Sequence, residues 1–153
     1  MKKVLNQILS AKLKAVFKNI DCKINSVDYL NIVGSEATRE ILDLLKLKID
    51  KTIHKHLFLA YYKKYSNLHS ECLIESFKII ESILKAKIKQ NADKYESYQI
   101  FSRAKNEEII TNREYHYISA LRDVRNKITH DFEDCTPEEA NLSIKIAVDI
   151  LKK

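Results

Sequence analysis

Residues 136–151 read TPEEANLSIKIAVDIL, and this stretch carries the clearest folding signal in the chain. Thr136 and Glu139 form a capping box, in which the two side chains bind free backbone amides at the start of a helix. Pro137 suits the first helical position because its ring fixes a helical φ. The apolar residues recur at helical steps and are Ala140, Ile144, Ala147, Val148 and Leu151. The stretch therefore predicts a helix that buries one face.

The part of the chain just before this stretch predicts a second capped helix. Thr111 and Glu114 form another capping box. The core face predicted for this helix consists of Tyr117, Leu121, Val124 and Ile128. Upstream the pattern is less regular, and Asp93 with Glu96 predicts a shorter capped segment that is rich in aromatic residues.

Three long helices are predicted in the first half of the chain. Their apolar residues recur at three- and four-residue steps, as a single buried face requires. The predicted helices run over 2–20, from a Ser35 cap to about Lys64, and from a turn at Ser66-Asn67 to an end at Asn91.

Residues 21–34 interrupt this period and contain the only glycine, so we predict a loop there with a short extended piece at 27–30. One glycine and one proline argue against collagen-like, turn-rich all-β and glycine-loop nucleotide-binding folds. No shift in composition marks a domain boundary. The sequence therefore predicts one all-α domain over residues 1–153, an antiparallel bundle of four long helices plus a shorter one.

The net charge of +6 and the pI near 9.1 favour a polyanionic partner, because basic side chains along a phosphate backbone release counterions. Most of the lysines are expected to keep helix faces in water. The arginines are few, and four of the five lie at positions 103, 113, 122 and 125. A guanidinium can hold a phosphate through two hydrogen bonds, so we expect the chemistry of the protein in this region.

Sequence features predict a cytoplasmic location. The uninterrupted apolar runs are only a few residues long, so no membrane span is expected. The first helix alternates apolar and polar residues and lacks the central apolar run of a secretory signal. Three widely spaced cysteines, Cys22, Cys72 and Cys135, indicate reduced thiols that pack as small buried side chains.

Near the end of the helix predicted from Thr111, the sequence LRDVRNKITH spans residues 121–130. It places Asn126 directly after Arg125, and His130 four residues after the asparagine. In a chain of this composition, the expected number of chance matches to an arginine and a histidine at such spacing is about one half. Requiring an asparagine directly after the arginine lowers that number to roughly 0.03. This stretch resembles the R-x4-6-H motif of HEPN domains, which also lies at the end of one helix ahead of a capped final helix.

Helix geometry constrains how the residues of this motif could meet. At ~100° per residue, Arg125 projects on the flank of the apolar stripe, between Ile118 and Leu121. If the helix continued, His130 would point ~140° away from Arg125. The two side chains could then share a site only if the helix ends near Thr129, or if they come from two subunits.

The resemblance implies a bundle like that of HEPN domains and a metal-independent endoribonuclease that requires no cofactor. Active members are typically homodimers, in which the motifs of two protomers form one composite cleft. They let the RNA 2′-OH attack its own phosphate, leaving a 2′,3′-cyclic phosphate and a 5′-OH. Histidine suits proton transfer near neutral pH and arginine suits the charge that grows on the phosphate. The resemblance thus implies catalysis by Arg125, Asn126 and His130.

Three further basic residues on the same predicted helix, Arg113, Arg122 and Lys127, are expected to contact the RNA. Compact members of the family often act as toxins of toxin–antitoxin or phage-defence systems, so a cognate antitoxin is an expected partner. In members paired with a minimal nucleotidyltransferase, a tyrosine two residues after the histidine can be adenylylated. Phe132 occupies that position here, so we do not expect inhibition by this modification.

Other candidate sites are weaker. His69 and Cys72 lie about one helical turn apart, but His54 and His56 point in different directions on a helix, so we expect no metal site. His116 is expected in solvent, and the tyrosines are more typical of a core than of base stacking. The alternative to an enzyme is a non-catalytic helical module that binds RNA or a protein, in which Arg125 and His130 have structural roles.

Overall fold

The computed structural model describes residues 2–47, 49–88 and 94–153. Across these ranges it contains eight α-helices and no β-strand, which confirms the predicted all-α class. The helices are α1 (Lys2–Asn19), α2 (Ser26–Val33), α3 (Ser35–Leu44), α4 (Lys51–Tyr65), α5 (His69–Lys87), α6 (Ser97–Asn106), α7 (Asn112–Asp131) and α8 (Pro137–Leu151). The predicted number of helices, four long ones plus a shorter one, is therefore wrong.

Helix α5 forms the centre of the bundle. It packs along α4 and along α8, and it also contacts α6 and α7. Because it has neighbours on several sides, it is buried on more than one face. Its buried apolar side chains are Cys72, Leu73, Phe77, Ile79, Ile80, Ile83 and Leu84.

Residues 26–33 form helix α2, and the extended piece predicted at 27–30 is wrong. The Asn25 side chain accepts hydrogen bonds from the backbone amides of Val27 and Asp28 at 2.9 and 3.1 Å, which caps the helix. Tyr29 is fully buried in the core, and its hydroxyl donates to the Phe58 carbonyl at 3.0 Å. Burial of this large side chain holds α2 against α4.

The long helix predicted from Ser35 to Lys64 is interrupted between Leu44 and Lys51. Three successive amides, from Leu45 to Leu47, donate to carbonyls three residues back, so the last turn tightens and α3 ends. Asp50 then caps α4 by accepting from the Thr52 amide at 2.7 Å. Periodicity did not reveal the break because the apolar residues stay in register across it.

The second half of the chain follows the sequence more closely. Both predicted capping boxes, at Thr111 and Thr136, are present in the structure. Asn91 and Asp93 lie outside the described residues, and Glu96 itself caps α6 in a box with Gln99. In α7 the inward residues are Ile118 and Leu121, whereas Tyr117, predicted for the core face, is 37% exposed.

None of the helices that the structure describes combines the length and the apolar character needed to cross a bilayer. The three cysteines are buried and form no disulfide, as predicted. Burial raises the pKa of the Cys72 thiol to about 11, although a hydrogen bond with Ser76 opposes the shift. Cys72 therefore packs as a neutral thiol near neutral pH.

A buried carboxylate joins α4 to α5. Glu75 is 6% exposed and lies 2.5 Å from Nδ1 of His56 and 2.9 Å from Nζ of Lys63. Burial alone would raise the pKa of Glu75, but hydrogen bonds from His56 and Lys63 and the charge of Lys63 outweigh it and bring the pKa to about 2. The cluster therefore stabilises the fold when Glu75 is ionised.

We expect the Glu75→Gln variant to lose about 2 kcal/mol of unfolding free energy near pH 7, allowing for solvent screening at the edge of the cluster. The folded-state pKa lies below the ordinary value of 4.5, so this contribution is complete above pH 4.5 and disappears as the pH falls toward 2. Urea unfolding across this pH range, followed by circular dichroism, measures the difference. Glu40→Gln, an exposed glutamate of α3 with no ion pair to a described residue, is the control. A difference that stays constant with pH would contradict the assignment.

Candidate active site

Helix α7 carries the motif, and local hydrogen bonds set where it begins and ends. Thr111 caps its start, and at its end the amides of Phe132 and Glu133 both donate to the Lys127 carbonyl. Phe132 adopts the left-handed conformation, with φ 55°, which stops the helix. The helix therefore continues through His130 to Asp131 and does not end near Thr129.

Arg125 points toward the core edge, as the helix geometry predicted. Its Nη1 donates to Oε1 of Glu81 at 2.6 Å, and its guanidinium lies 4.4 Å from the centre of the Phe77 ring. The Glu81 carboxylate also accepts a hydrogen bond from the Ser97 hydroxyl at the start of α6. Arg125 thus links α7 to α5, and its other guanidinium donors form no hydrogen bond to a described residue.

His130 lies on a different face of α7. It is exposed, and neither it nor Asn126 forms a side-chain hydrogen bond within the described ranges. Because the helix is continuous, His130 and Arg125 point ~140° apart. The two side chains therefore cannot share a site within one copy of the chain. They could share a site only if they come from two copies.

Continuity of α7 brings a different set of residues together. Arg122, Asn126 and His130 follow one another at four-residue steps, so they lie along one face of the helix. Arg122 and His130 are then about 12 Å apart along the helix axis. This row, termed the α7 polar row, places a guanidinium, an amide and an imidazole along one surface.

The polar row is flanked by aromatic and basic side chains. The Arg122 guanidinium lies 5.5 Å from the centre of the Tyr98 ring, and its buried Nε has no hydrogen-bond partner among the described residues. Tyr98 is 48% exposed, and Phe132 is 90% exposed at the end of the helix. A buried donor without a partner is costly in a folded protein, so Arg122 retains capacity for an anion.

The remaining basic residues predicted to bind RNA differ in environment. Arg113 is exposed, and its Nε and Nη2 donate to the Tyr117 hydroxyl at 3.2 and 3.1 Å. Lys127 is exposed and forms no ion pair within the described part of the chain. Both are therefore open to solvent on the helix that carries the motif.

The histidines considered for a metal site do not converge. No group of three His, Cys, Asp or Glu side chains among the described residues has the geometry to hold a metal ion. His56 is bound to Glu75, and burial lowers the pKa of His54 despite the opposing charge of Asp50. His69 keeps a buried Nδ1 without a partner in the described ranges. These side chains serve the packing of α4 and α5.

The sequence analysis missed the partner of Arg125. Glu81 lies 44 residues before it in the chain, on α5. A local signal was nonetheless present, because Phe77 and Glu81 are four residues apart and so lie on one face of a helix. Arg125 of α7 approaches that face and contacts both side chains.

Comparison with known proteins gives no family assignment. The chain matches no protein-family model, no curated protein and no solved structure. The structure itself defines an all-helical bundle in which α7 presents a row of polar side chains.

We expect Arg125 and His130 to differ in their effect on stability. Arg125→Ala leaves Glu81 half-buried without its charge partner and removes packing on Phe77, so it should lower the unfolding free energy by about 1–3 kcal/mol. His130→Ala removes an exposed side chain and should change it by less than about 0.5 kcal/mol.

Urea unfolding of both variants checks this contrast. A double-mutant cycle with Glu81→Gln should give a coupling energy of about 1 kcal/mol for Arg125 and none for His130. Equal destabilisation by the two alanine variants, or no coupling between positions 125 and 81, would show that Arg125 is not held as described.

Proposed function

We propose that this protein is a metal-independent endoribonuclease of the HEPN type, the toxin of a toxin–antitoxin or phage-defence system acting in the cytoplasm. The observation that carries the proposal is the α7 polar row: Arg122, Asn126 and His130 lie along one face beside the exposed Phe132. Such a face offers an anion-binding group, a hydrogen-bonding amide and an imidazole to one RNA strand. A cognate antitoxin protein would restrain the enzyme.

The chemistry follows from these groups. His130 would accept the proton of a ribose 2′-OH as its oxygen attacks the adjacent phosphorus. The bond from phosphorus to the 5′-oxygen then breaks, that oxygen takes up a proton from water, and a 2′,3′-cyclic phosphate remains. An arginine beside the phosphate would stabilise the charge that develops on its oxygens. DNA lacks the attacking hydroxyl, so cleavage would be restricted to RNA.

A homodimer would supply the arginine that the motif implies. In one copy Arg125 faces Glu81, but only Nη1 is used in that contact, and the side chain is 24% exposed. Its free donors could bind a phosphate that is held by His130 of a second copy. Asn126 lies beside Arg125 in sequence and would bind the phosphate or the arginine.

Exposed aromatic rings support RNA as the ligand. Phe132 is 90% exposed in a left-handed conformation that costs a residue with a side chain roughly 1–2 kcal/mol, where glycine would be free of this cost. A ring held out in water at the end of the polar row can stack on a base. Tyr98, beside Arg122, offers a second ring on the same side.

We expect the purified protein to cleave tRNA or mRNA in the presence of EDTA, and His130→Ala to lose at least about 100-fold in rate because the proton-transfer group is gone. The products should carry a 2′,3′-cyclic phosphate and a 5′-OH, detected by end labelling before and after phosphatase treatment. His116→Ala is the matched control, because His116 is also an exposed histidine of α7. Equal cleavage by wild type and His130→Ala, or none by either, rejects catalysis by this site.

A mixing experiment tests the composite site. If Arg125 of one copy serves His130 of the other, Arg125→Lys and His130→Ala are each inactive alone, yet their mixed dimer contains one intact site. Random exchange of subunits then restores about a quarter of the wild-type rate. Mixing that restores no activity, with each variant folded by circular dichroism, would show that Arg125 and His130 do not act across two copies.

A non-catalytic RNA-binding module is the second candidate, and the contact of Arg125 with Glu81 and Phe77 favours it. In that case Arg125 is structural, and the polar row with Phe132 binds RNA without cutting it. Electrophoretic mobility shift with the same RNA separates the candidates. Tight binding with intact RNA after long incubation, together with normal growth of cells that express the protein, would favour the module.

A further inference from the structure

Helices α1 and α2 enclose a groove that the proposed function does not use. Two cavities of about 640 and 470 Å³ lie along their junction and share Ser10, Lys14 and Val27, so they are adjacent parts of one surface groove. It extends from Lys3 to Lys18, which corresponds to about 22 Å along a helix. We call this the α1–α2 groove.

The groove lies away from the candidate active site. Helix α1 packs on α2 and α3, whereas α7 packs on α5, α6 and α8. The walls of the groove are firmly held, because Phe17, Tyr29 and Phe58 form an aromatic cluster with ring centres 5.1–5.6 Å apart. The Ser10 and Ser26 hydroxyls also meet at 3.2 Å. The groove is therefore preformed.

The charged side chains among the described residues that line the groove are all positive. Lys3, Lys14 and Lys18 line it, and no carboxylate is among the described residues that do so. These three lysines form no ion pair with a described acidic residue. The sequence of α1 contains no Asp or Glu, so its positive charge is not balanced within the helix.

The surface of the groove is otherwise apolar or amide-bearing. Val27, 53% exposed, lies at its centre with Ala11, and Leu30 forms part of its floor. On the adjoining solvent face of α1, Val4 and Ile8 are 58% and 50% exposed. Exposed apolar side chains bordered by lysines match a ligand with an apolar stripe bordered by carboxylates.

Other ligands fit less well. The groove offers no exposed ring among its described residues, since its one aromatic side chain, Phe17, is 3% exposed, and no arginine lines it. Stacking surfaces and arginine are what single-stranded RNA requires. Its concave shape and its small aliphatic side chains do not suit the flat surface of a bilayer. Two copies that met through α1 would oppose lysine with lysine.

We infer that the α1–α2 groove binds an acidic amphipathic helix of a partner protein. Such a helix of about four turns would place apolar side chains against Val27 and Ala11, and its carboxylates would pair with Lys3, Lys14 and Lys18. This inference does not depend on ribonuclease activity, because none of these residues belongs to the α7 polar row.

The test uses the full-length protein and a fluorescent 16-residue peptide with leucines at helical spacing flanked by glutamates. Its twin carries lysine in place of every glutamate. Fluorescence anisotropy should show binding of the acidic peptide only, weakened at least about tenfold by the double change Lys14→Glu and Lys18→Glu. Val27→Asp should weaken it similarly. Lys12→Glu, on α1 but outside the groove, is the matched control and should change binding less than about twofold.

Several results would overturn the inference. They are equal binding of both peptides, no binding of the acidic peptide, and equal loss in the Lys12→Glu control. The inference is also overturned if the double variant loses binding to an RNA oligonucleotide or to phosphatidylglycerol vesicles. It is overturned as well if light scattering shows that the wild-type protein self-associates and the double variant does not. RNA cleavage by the double variant, measured separately, should equal that of wild type, so failure here is distinct from failure of the proposed function.

Discussion

The ion pair between Arg125 and Glu81 sets the orientation of the helix on which the functional argument depends. It fixes α7 on α5 with the guanidinium also over Phe77, so one side of α7 is committed to the core. Since the helix is unbroken through His130, the residues opposite Arg125, His130 among them, face solvent. That constraint separates Arg125 from His130 within one copy and aligns Arg122, Asn126 and His130. A histidine and an arginine can therefore be close in sequence and still serve different surfaces.

Much of the fold could be predicted because helix starts have local causes. Thr111 and Thr136 bind amides only three residues away, so sequence alone identifies their capping boxes. The break before α4 could not be predicted, because its apolar residues remain in register and the chain turns through tightened hydrogen bonds that leave no pattern. We predicted no helix at α2 because its few apolar residues do not continue the period of those in α1. The signal in the sequence was Asn25, whose side chain caps the start of the helix.

The residues of the candidate site could be proposed from the sequence, but their arrangement in space could not. The sequence identified the motif and placed Arg125 at the edge of the core stripe. Its partner Glu81 comes from another helix, and only tertiary packing brings the two together. The point where α7 ends depends on Phe132 adopting a left-handed conformation, which is uncommon for an aromatic residue. The α7 polar row and the α1–α2 groove lie on different helices, so a ligand bound to one would leave the other open.

An RNA strand bound along α7, as proposed, would place a phosphate against His130. Nuclear magnetic resonance of the five histidines, with a 2′-O-methylated RNA that cannot be cleaved, tests this claim most directly. We expect the imidazole resonances of His130 to shift on titration and those of His56, bound to Glu75, to remain in place. If the RNA binds while the His130 resonances stay unchanged, the strand does not lie against His130.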